Sequence, residues 1–200
     1  MASVSIPVPV EELISNLTIK KAAMRDIQPL LGLINEYATN GVMLPRTEFE
    51  MSENIRDFTV VYSDNKLVAC GALHFYTPTS GEVRSLAVDP VLKTHGLGRL
   101  VVSALEEEAM ANELHAIFAF TYVPNFFRKV GFRAVERGVL PLKVWKDCLR
   151  CPKFQRCDEI AVLKALRPDP VLSPAEAQTA QQFDPEFALI QLPNLKHSDE

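Results

Sequence analysis

The spacing of apolar residues predicts a helix near the start of the chain. Between residues 27 and 38, apolar side chains recur at helical intervals, at Ile27, Leu30, Leu31, Ile34 and Ala38. Asp26 stands before this stretch as a candidate N-cap, and Gly41 follows its end. A short strand is predicted before this helix, over residues 18–22, and a second short helix after it, around residues 50–57.

Strand-like runs follow these helices. Segments rich in apolar and β-branched residues cover residues 58–62, 67–76 and 82–88. Polar residues, glycine and proline separate them and favour tight turns. The pattern predicts an antiparallel meander of three strands.

The period changes again after Pro90. A helix is predicted over residues 99–112, with the carboxylates at 106–108 in solvent, followed by a strand over 116–121. Because a strand, a crossover helix and a strand usually bring the two strands together in parallel, the strands at 82–88 and 116–121 should be parallel neighbours. A short helix at 125–130, a further strand, a helix-like stretch at 142–149 and a final strand at 159–165 complete the prediction.

Length and composition are those of one globular domain. The chain has 200 residues, of which 48% are hydrophobic and 23% are charged. We predict a lead-in over residues 1–17, one domain over 18–166 and a proline-containing acidic tail over 167–200. No long apolar run and no secretory leader pattern is found, so we expect a cytoplasmic protein without a membrane partner.

The charges are unevenly distributed. Residues 167–200 hold 2 of the 21 basic residues and 6 of the 25 acidic ones, which leaves 19 of each sign in residues 1–166. A neutral body without a basic run argues against nucleic acid as a partner. An anionic ligand would therefore need local hydrogen-bond donors.

A glycine-containing loop supplies such donors. It reads Lys93-Thr94-His95-Gly96-Leu97-Gly98 and stands between a predicted strand and a predicted helix. Glycines let the backbone approach a ligand closely, and the start of a helix presents unpaired N–H groups that bind phosphate. The alternative is a tight turn from strand to helix with no ligand.

Three of the four cysteines cluster, at Cys148, Cys151 and Cys157. This spacing supplies three ligands of a tetrahedral metal site, but no fourth cysteine or histidine follows. Packed or redox-active thiols are the favoured alternative, so no metal is predicted. The remaining cysteine, Cys70, lies in an apolar run and is expected to pack in the core.

Several segments together resemble the GNAT superfamily of acetyl-CoA-dependent N-acetyltransferases. They are Val83–Pro90, Lys93-x-x-Gly96-x-Gly98 and Phe127–Phe132. The resemblance implies an α+β fold: a mixed, mostly antiparallel twisted sheet with a parallel pair at the acetyl-CoA site, flanked by helices. It also implies a set of cofactor-binding residues, namely Leu86, Ala87, Val88, Lys93, Thr94, His95, Gly96, Leu97, Gly98, Arg99 and Phe127.

A closer resemblance is to the acetyltransferase domain of bacterial N-acetylglutamate synthases. It is carried by the segments Gly41–Arg46, Phe58–Val60, Gly81–Val83 and Phe126–Phe132. This resemblance implies that L-glutamate is the acceptor and that the reaction is the first step of arginine biosynthesis. It also implies a possible homodimer, as in many members of the family. The amino-acid kinase domain of the longer synthases does not occur in this sequence.

The resemblance and the chemistry together assign catalytic roles. Glu82 is the candidate base for the acceptor ammonium, with a strand-end surface glutamate as the alternative. Backbone N–H groups of Leu86 and Ala87 are the expected oxyanion donors. Thr121 and Tyr122 are the nearest hydroxyls for the departing thiolate, unless both are merely structural. The general-acid tyrosine of most GNAT enzymes is replaced by Phe127.

Acceptor binding is assigned to Arg46, Ser85 and Arg156. The resemblance gives Arg46 to the α-carboxylate, since a guanidinium grips a carboxylate with two parallel hydrogen bonds. Arg156 is the candidate for the side-chain carboxylate, with a surface charge beside the cysteines as the alternative, whereas Arg84 is expected to face solvent. Two alternatives remain open: a GNAT enzyme for another amino acid, a polyamine or a protein amine, and a non-catalytic module that binds acyl-CoA or metal.

Overall fold

One mixed sheet organises the part of the chain that the structure describes. The structure is a computed structural model that describes residues 14–140, 151, 153 and 156–167. Its strands are β1 (Leu17–Lys21), β2 (Phe58–Ser63), β3 (Lys66–Thr77), β4 (Ser80–Val88), β5 (Ala116–Thr121), β6 (Arg133–Ala134) and β7 (Ile160–Ala165). The strand order is β1-β2-β3-β4-β5-β7-β6, and β4 with β5 is the parallel pair.

Helices cover both faces of this sheet. They are α1 (Ile27–Thr39), α2 (Glu48–Asn54), α3 (Leu97–Ala111) and α4 (Pro124–Lys129). Short 3₁₀ turns stand at Met24–Asp26, Ile55–Asp57, Pro90–Leu92 and Arg137–Val139. Within the described ranges, no helix is both long enough and apolar enough to cross a membrane. The predicted meander β2-β3-β4 and the predicted parallel neighbours β4 and β5 are both confirmed.

Local chemistry moves several predicted boundaries by one to three residues. Helix α2 begins at Glu48 because the Thr47 hydroxyl accepts a hydrogen bond from the Glu50 N–H. Helix α3 begins at Leu97 because Gly96, at φ +83°, makes the turn into it. Strand β4 already begins at Ser80, so the turn after β3 is shorter than predicted. The helix-like stretch predicted at 142–149 lies outside the described residues.

The prediction that Asp26 is the N-cap residue of α1 is confirmed by position only. Asp26 stands at the N-cap position, but its side chain makes no capping hydrogen bond to that helix. Its carboxylate instead accepts hydrogen bonds from the Ala23 N–H and the Tyr62 hydroxyl, both at 2.8 Å. Asp26 is almost completely buried. The buried carboxylate therefore joins the start of α1 to strand β2.

The two faces of the sheet carry different cores. Helix α3 packs on one face, against side chains that include Leu73, Val83 and Ile117. Helices α1 and α2 pack on the other face, over β2 and β3. A third, smaller cluster around Phe118 and Leu140 covers β5 and β7. Because successive strand residues point to opposite faces, Glu82 lies on the sheet face opposite α3.

Helix α3 is also tied to both halves of the sheet by ion pairs. The prediction that the carboxylates at residues 106–108 lie in solvent is wrong for two of the three. Glu106 pairs with Lys164 of β7 at 2.5 Å, and Glu108 pairs with Lys21 of β1 at 2.8 Å. Both carboxylates are about a quarter exposed or less. The helix is thereby anchored above the splayed middle of the sheet.

Candidate active site

A cleft opens where strands β4 and β5 separate. The two strands pair over only three positions, from Ser80 with Ala116 to Glu82 with Phe118. Beyond Glu82, β4 continues for six residues without a β5 partner in register. Strand β4 then leads into the loop before α3. The cleft is thus bordered by a strand with unused backbone groups at one side and by the start of a helix at its far end.

A β-bulge reshapes β4 within this cleft. Cys70 pairs with Ala87 and Ala72 pairs with Arg84, so two residues of β4 oppose the single residue Gly71. Ser85, one of those two, has φ +51°, in the left-handed region. A bulge of this kind leaves a residue outside the ladder and turns the strand. The predicted oxyanion residue Leu86 therefore has no register partner on β3.

Cys70 fills the space beneath the bulge. Its side chain is completely buried, and its Sγ lies 3.6 Å from the Ser85 carbonyl oxygen, to which the thiol donates. Burial raises the pKa of this thiol to about 12, although the Ala87 backbone hydrogen bond opposes the shift. The buried, protonated thiol agrees with the predicted packing role.

The phosphate-type loop has the expected geometry at the start of α3. Thr94 and Gly96 both have positive φ, +75° and +83°, and the first helical hydrogen bond runs from the Leu100 N–H to the Gly96 carbonyl at 3.0 Å. The three preceding helical N–H groups have no partner inside the helix. The side chains of Lys93 and His95 are exposed beside them. This end of α3 can accept a phosphate group.

The loop is braced from α1. Tyr37 donates a hydrogen bond from its hydroxyl to the Val88 carbonyl at 2.6 Å. Its ring also lies under the Lys93 ammonium, 4.9 Å from the ring centroid. Thr94, Leu97 and the exposed Arg99 complete the predicted cofactor loop in this region. Tyr37 is a neighbour of the loop that the sequence did not reveal.

The two phenylalanines of α4 have different surroundings. Phe127 is 4% exposed, and its ring meets Phe126 and Phe132 edge-on. Phe126 lies against Gly98, where an added Cβ would come within 3.3 Å of the ring. Phe126 is therefore an aromatic neighbour of the start of α3, and the cofactor-binding role of Phe127 stays a prediction.

Glu82 lies at the inner end of the cleft, where β4 and β5 part, and is 9% exposed. Its register partners are His74 on β3 and Phe118 on β5. A buried carboxyl group at the point where two parallel strands part is well placed to exchange a proton with a bound molecule. The structure thus excludes the alternative of an exposed surface glutamate.

A cluster of charged side chains continues from Glu82 along the same face. The Asp57 carboxylate lies 2.6 Å from Nδ1 of His74 and 3.4 Å from a terminal nitrogen of Arg84. Arg84 also donates to the Asn54 side-chain oxygen at 3.1 Å. The Arg84 side chain is only 11% exposed. The expectation that Arg84 faces solvent is therefore wrong, because Asp57 and Asn54 hold it over β3.

The candidate hydroxyls stand at the end of β5. Thr121 is buried, and its Oγ1 accepts a hydrogen bond from the Val123 N–H at 2.9 Å. Tyr122 accepts one from the Lys153 ammonium at 3.2 Å. Burial raises the pKa of Tyr122; the Lys153 hydrogen bond opposes this shift, and Asp158 adds to it. The catalytic role given to Thr121 and Tyr122 stays a prediction.

The predicted acceptor residues lie on three separate segments. Arg46 stands in the loop between α1 and α2, where its backbone N–H and C=O bind the Asn35 side-chain amide at 2.8 and 3.0 Å. Ser85 is the buried bulge residue. Arg156 is exposed in a turn whose N–H bonds to the Lys153 carbonyl. The binding roles given to Arg46, Ser85 and Arg156 stay predictions.

The cysteine cluster stays a prediction. Cys148 lies outside the described residues, whereas Cys151 and Cys157 are partly buried thiols. The Cys157 thiol donates to the Glu159 carboxylate at 3.8 Å. Among the described residues, no group of three or more metal-ligating side chains is found.

The fold and the cleft together define a class of protein. A buried carboxyl group, unused strand amides and a phosphate-accepting helix start suit group transfer from a carrier that bears phosphate. Residues 29–132 match the model of the acetyltransferase (GNAT) family. The chain belongs to this family, the expected GNAT fold is confirmed, and the chain is an acetyltransferase.

Individual relatives show which members of the family the chain is similar to. An uncharacterised N-acetyltransferase of Chlorobaculum tepidum is 35% identical over 148 residues, covering 74% of this chain and 96% of the relative. An amino-acid acetyltransferase of Mycobacterium tuberculosis is 29% identical over 135 residues, covering 66% of this chain and 77% of the relative. The resemblance to amino-acid acetyltransferases is thus confirmed.

A solved structure shows the same fold. The N-acetylglutamate synthase of Neisseria gonorrhoeae, complexed with coenzyme A and N-acetyl-glutamate, superposes with a TM-score of 0.70 at 22% identity. The match covers 76% of this chain and 36% of that one. The expectation of acetyl-CoA as co-substrate is confirmed at the level of the family.

Proposed function

We propose that the protein transfers the acetyl group of acetyl-CoA to the α-amino group of L-glutamate, the first step of arginine biosynthesis. The observation that carries the proposal is Glu82, a buried carboxyl group at the inner end of the cleft, where β4 and β5 part. Similarity to amino-acid acetyltransferases and to an N-acetylglutamate synthase supports the choice of acceptor.

The donor occupies the cleft from the helix to the bulge. The diphosphate of acetyl-CoA binds the N–H groups at the start of α3, where Gly96 and Thr94 turn the backbone. The thioester then lies along the bulged part of β4. There the N–H group of Leu86, which has no register partner on β3, is the donor for the oxyanion and contributes about 10²–10³ in rate, whereas Ala87 is paired with Cys70 of β3.

The chemistry is a direct attack without an acyl-enzyme. Glu82 accepts a proton from the acceptor's ammonium group, and the freed amine attacks the thioester carbonyl carbon. A tetrahedral intermediate forms and collapses, breaking the C–S bond. The coenzyme A thiolate then takes a proton from the hydroxyl of Thr121 or Tyr122. The nitrogen, which still carries one proton more than the amide product, gives that proton to the hydroxyl oxygen and restores the hydroxyl group.

The acceptor is held through its carboxylates. Arg46 pairs with the α-carboxylate, and Arg156 with the side-chain carboxylate, because a guanidinium binds a carboxylate with two hydrogen bonds. The Asn35 amide fixes the backbone of Arg46 from both sides. Ser85 borders the same site from the bulge. This arrangement disfavours polyamine acceptors, since like charges repel.

The test measures release of the coenzyme A thiol over the twenty amino acids. L-Glutamate should be among the best acceptors. Arg46→Ala should raise the KM for glutamate at least tenfold with little change in the KM for acetyl-CoA, since one charge-assisted hydrogen bond contributes about 1.5–3 kcal/mol. Arg133→Ala, an exposed arginine on β6, is the matched control and should leave both values unchanged.

Each alternative gives a distinct result in this assay. Fast turnover with another amine and slow turnover with glutamate would show that the other amine is the acceptor and would refute the choice of glutamate. Binding of acetyl-CoA in a calorimeter without turnover of any amine would indicate a non-catalytic module. An unchanged glutamate KM in Arg46→Ala would refute the role given to Arg46.

A further inference from the structure

His74 stands directly beside the proposed base. His74 of β3 and Glu82 of β4 are Cα partners in an antiparallel ladder. Side chains of directly opposite residues point to the same face, with Cβ atoms about 4.5–5.5 Å apart. The His74 ring packs edge-on against Tyr76, which in turn packs against Phe118. These rings border the polar pair on the side toward β5.

Asp57 fixes the orientation of the His74 ring. Its Oδ2 lies 2.6 Å from His74 Nδ1, so the ring donates Nδ1–H to the carboxylate and Nε2 is the nitrogen left to exchange a proton. Arg84 approaches the same carboxylate at 3.4 Å and is itself held by Asn54. Arg84 thereby holds the Asp57 carboxylate in place, and the carboxylate in turn orients the His74 ring, as in other carboxylate–histidine pairs.

We propose that the Asp57–His74 pair is a proton relay that carries the proton from Glu82 to solvent. Exposure changes in the required direction, because Glu82 is 9% exposed while the His74 side chain is 31% exposed. A buried carboxyl group that has taken a proton must lose it before the next turnover. Since the carrier and the acceptor fill the cleft during turnover, a route through β3 bypasses both molecules. This inference rests on the proposed function.

Each transfer balances. The acceptor ammonium gives its proton to the Glu82 carboxylate, which becomes a neutral acid. The acid proton passes to Nε2 of His74, and Glu82 becomes a carboxylate again. The Asp57 carboxylate stabilises the imidazolium, which then releases the Nε2 proton to water. The charged and titratable groups around His74 are Asp57 from the 3₁₀ turn, Glu82 and Arg84 from β4, and Tyr76 from its own strand.

Asp57 and His74 act through Glu82, so they are positioning residues rather than catalytic ones. His74→Asn keeps an N–H where Nδ1 stands and can still bind Asp57, but it cannot relay a proton. We expect kcat with glutamate to fall about 10²-fold, the lower end of what positioned proton transfer contributes. The KM for acetyl-CoA should stay within twofold, because the start of α3 is untouched.

A second variant separates a relay from a structural role. His74→Ala leaves room for a small base beside Glu82, so added imidazole should restore at least a tenth of the wild-type kcat. His115→Ala is the control, because His115 lies just before β5, at the closed end of the parallel pair. It should keep the wild-type kcat and gain nothing from imidazole.

The results distinguish the two proposals. If the wild-type enzyme acetylates glutamate and His74→Asn has an unchanged kcat, the relay is wrong and the proposed function stands. Loss of activity in His74→Ala that imidazole does not restore also overturns the relay. If the wild-type enzyme acetylates no amine, the proposed function fails and the relay fails with it.

Discussion

Gly96 provides a sharp test of the cofactor loop, because the same substitution can be made in a matched position. Gly96 has φ +83°, and an added Cβ would meet no atom within 4 Å. Gly96→Ala therefore costs backbone strain and nothing else. An alanine held in the left-handed region loses roughly 1–2 kcal/mol. Gly32→Ala also meets no atom within 4 Å, but Gly32 lies inside α1 without a positive φ.

The two substitutions should therefore act with opposite sign. Gly32→Ala should raise the free energy of unfolding by about 0.4–1 kcal/mol, since alanine restricts the unfolded chain. Gly96→Ala should lower it by roughly 1–2 kcal/mol. For a chain of this size each kcal/mol corresponds to a shift of about 2–4 °C in Tm. Urea unfolding followed by circular dichroism measures both changes.

Binding of acetyl-CoA adds a second measurement. In Gly96→Ala, residue 96 can relieve its strain by leaving the left-handed conformation. The N–H groups at the start of α3 then no longer point toward the diphosphate. Affinity would fall instead of stability, by up to the same free energy, which corresponds to about 5–30-fold in Kd. Titration calorimetry measures this loss, and Gly32→Ala should bind as wild type does. Wild-type stability together with wild-type affinity in Gly96→Ala would refute the reasoning.

Two further predictions concern carboxyl groups. Glu82→Gln should lower kcat by about 10²–10⁴ in the thiol-release assay and leave the Kd for acetyl-CoA unchanged; wild-type turnover would exclude Glu82 as the base. Burial alone would raise the pKa of Asp26, but hydrogen bonds from the Ala23 N–H and the Tyr62 hydroxyl outweigh it and lower this pKa. The ionised Asp26 carboxylate therefore stabilises the folded state above the ordinary aspartate pKa, about 4. This stabilisation is lost as the pH falls through the lower pKa that Asp26 has in the folded state. In Tyr62→Phe the free energy of unfolding should depend less steeply on pH over that acid range. An unchanged slope would contradict the role given to the Tyr62 hydrogen bond.

The regular parts of the fold could be predicted because their signals are local. Apolar residues at helical spacing mark α1, and turn residues between β-rich runs mark the β2-β3-β4 meander. The β4–β5 crossover follows from handedness rules that hold for nearly all such connections. The tight turn at Gly96 could be predicted because few residue types adopt its positive φ.

Contacts between distant residues left no such signal. His74 and Asp57 are 17 residues apart, and each on its own reads as a half-exposed polar residue. Lys164 and Glu106 meet only because α3 crosses the sheet. The one available hint for the His74 cluster was a polar residue in an otherwise apolar strand. Register decides which strand neighbours such a residue meets, and register depends on the bulge.

The bulge itself shows why local alternation could not give the site. An unbroken period of two would place Val83, Ser85 and Ala87 on one face of β4. In the structure Val83 packs with α3, whereas Ala87 packs with α1 and α2 on the opposite face. One extra residue flips every side chain that follows it. The flip lies between Glu82 and the loop before α3, so the strand can present a carboxyl group to the acceptor and a backbone amide to the thioester within a few residues. Straight pairing with β3 would use the Leu86 amide in the ladder, and the cleft would lose the proposed oxyanion donor.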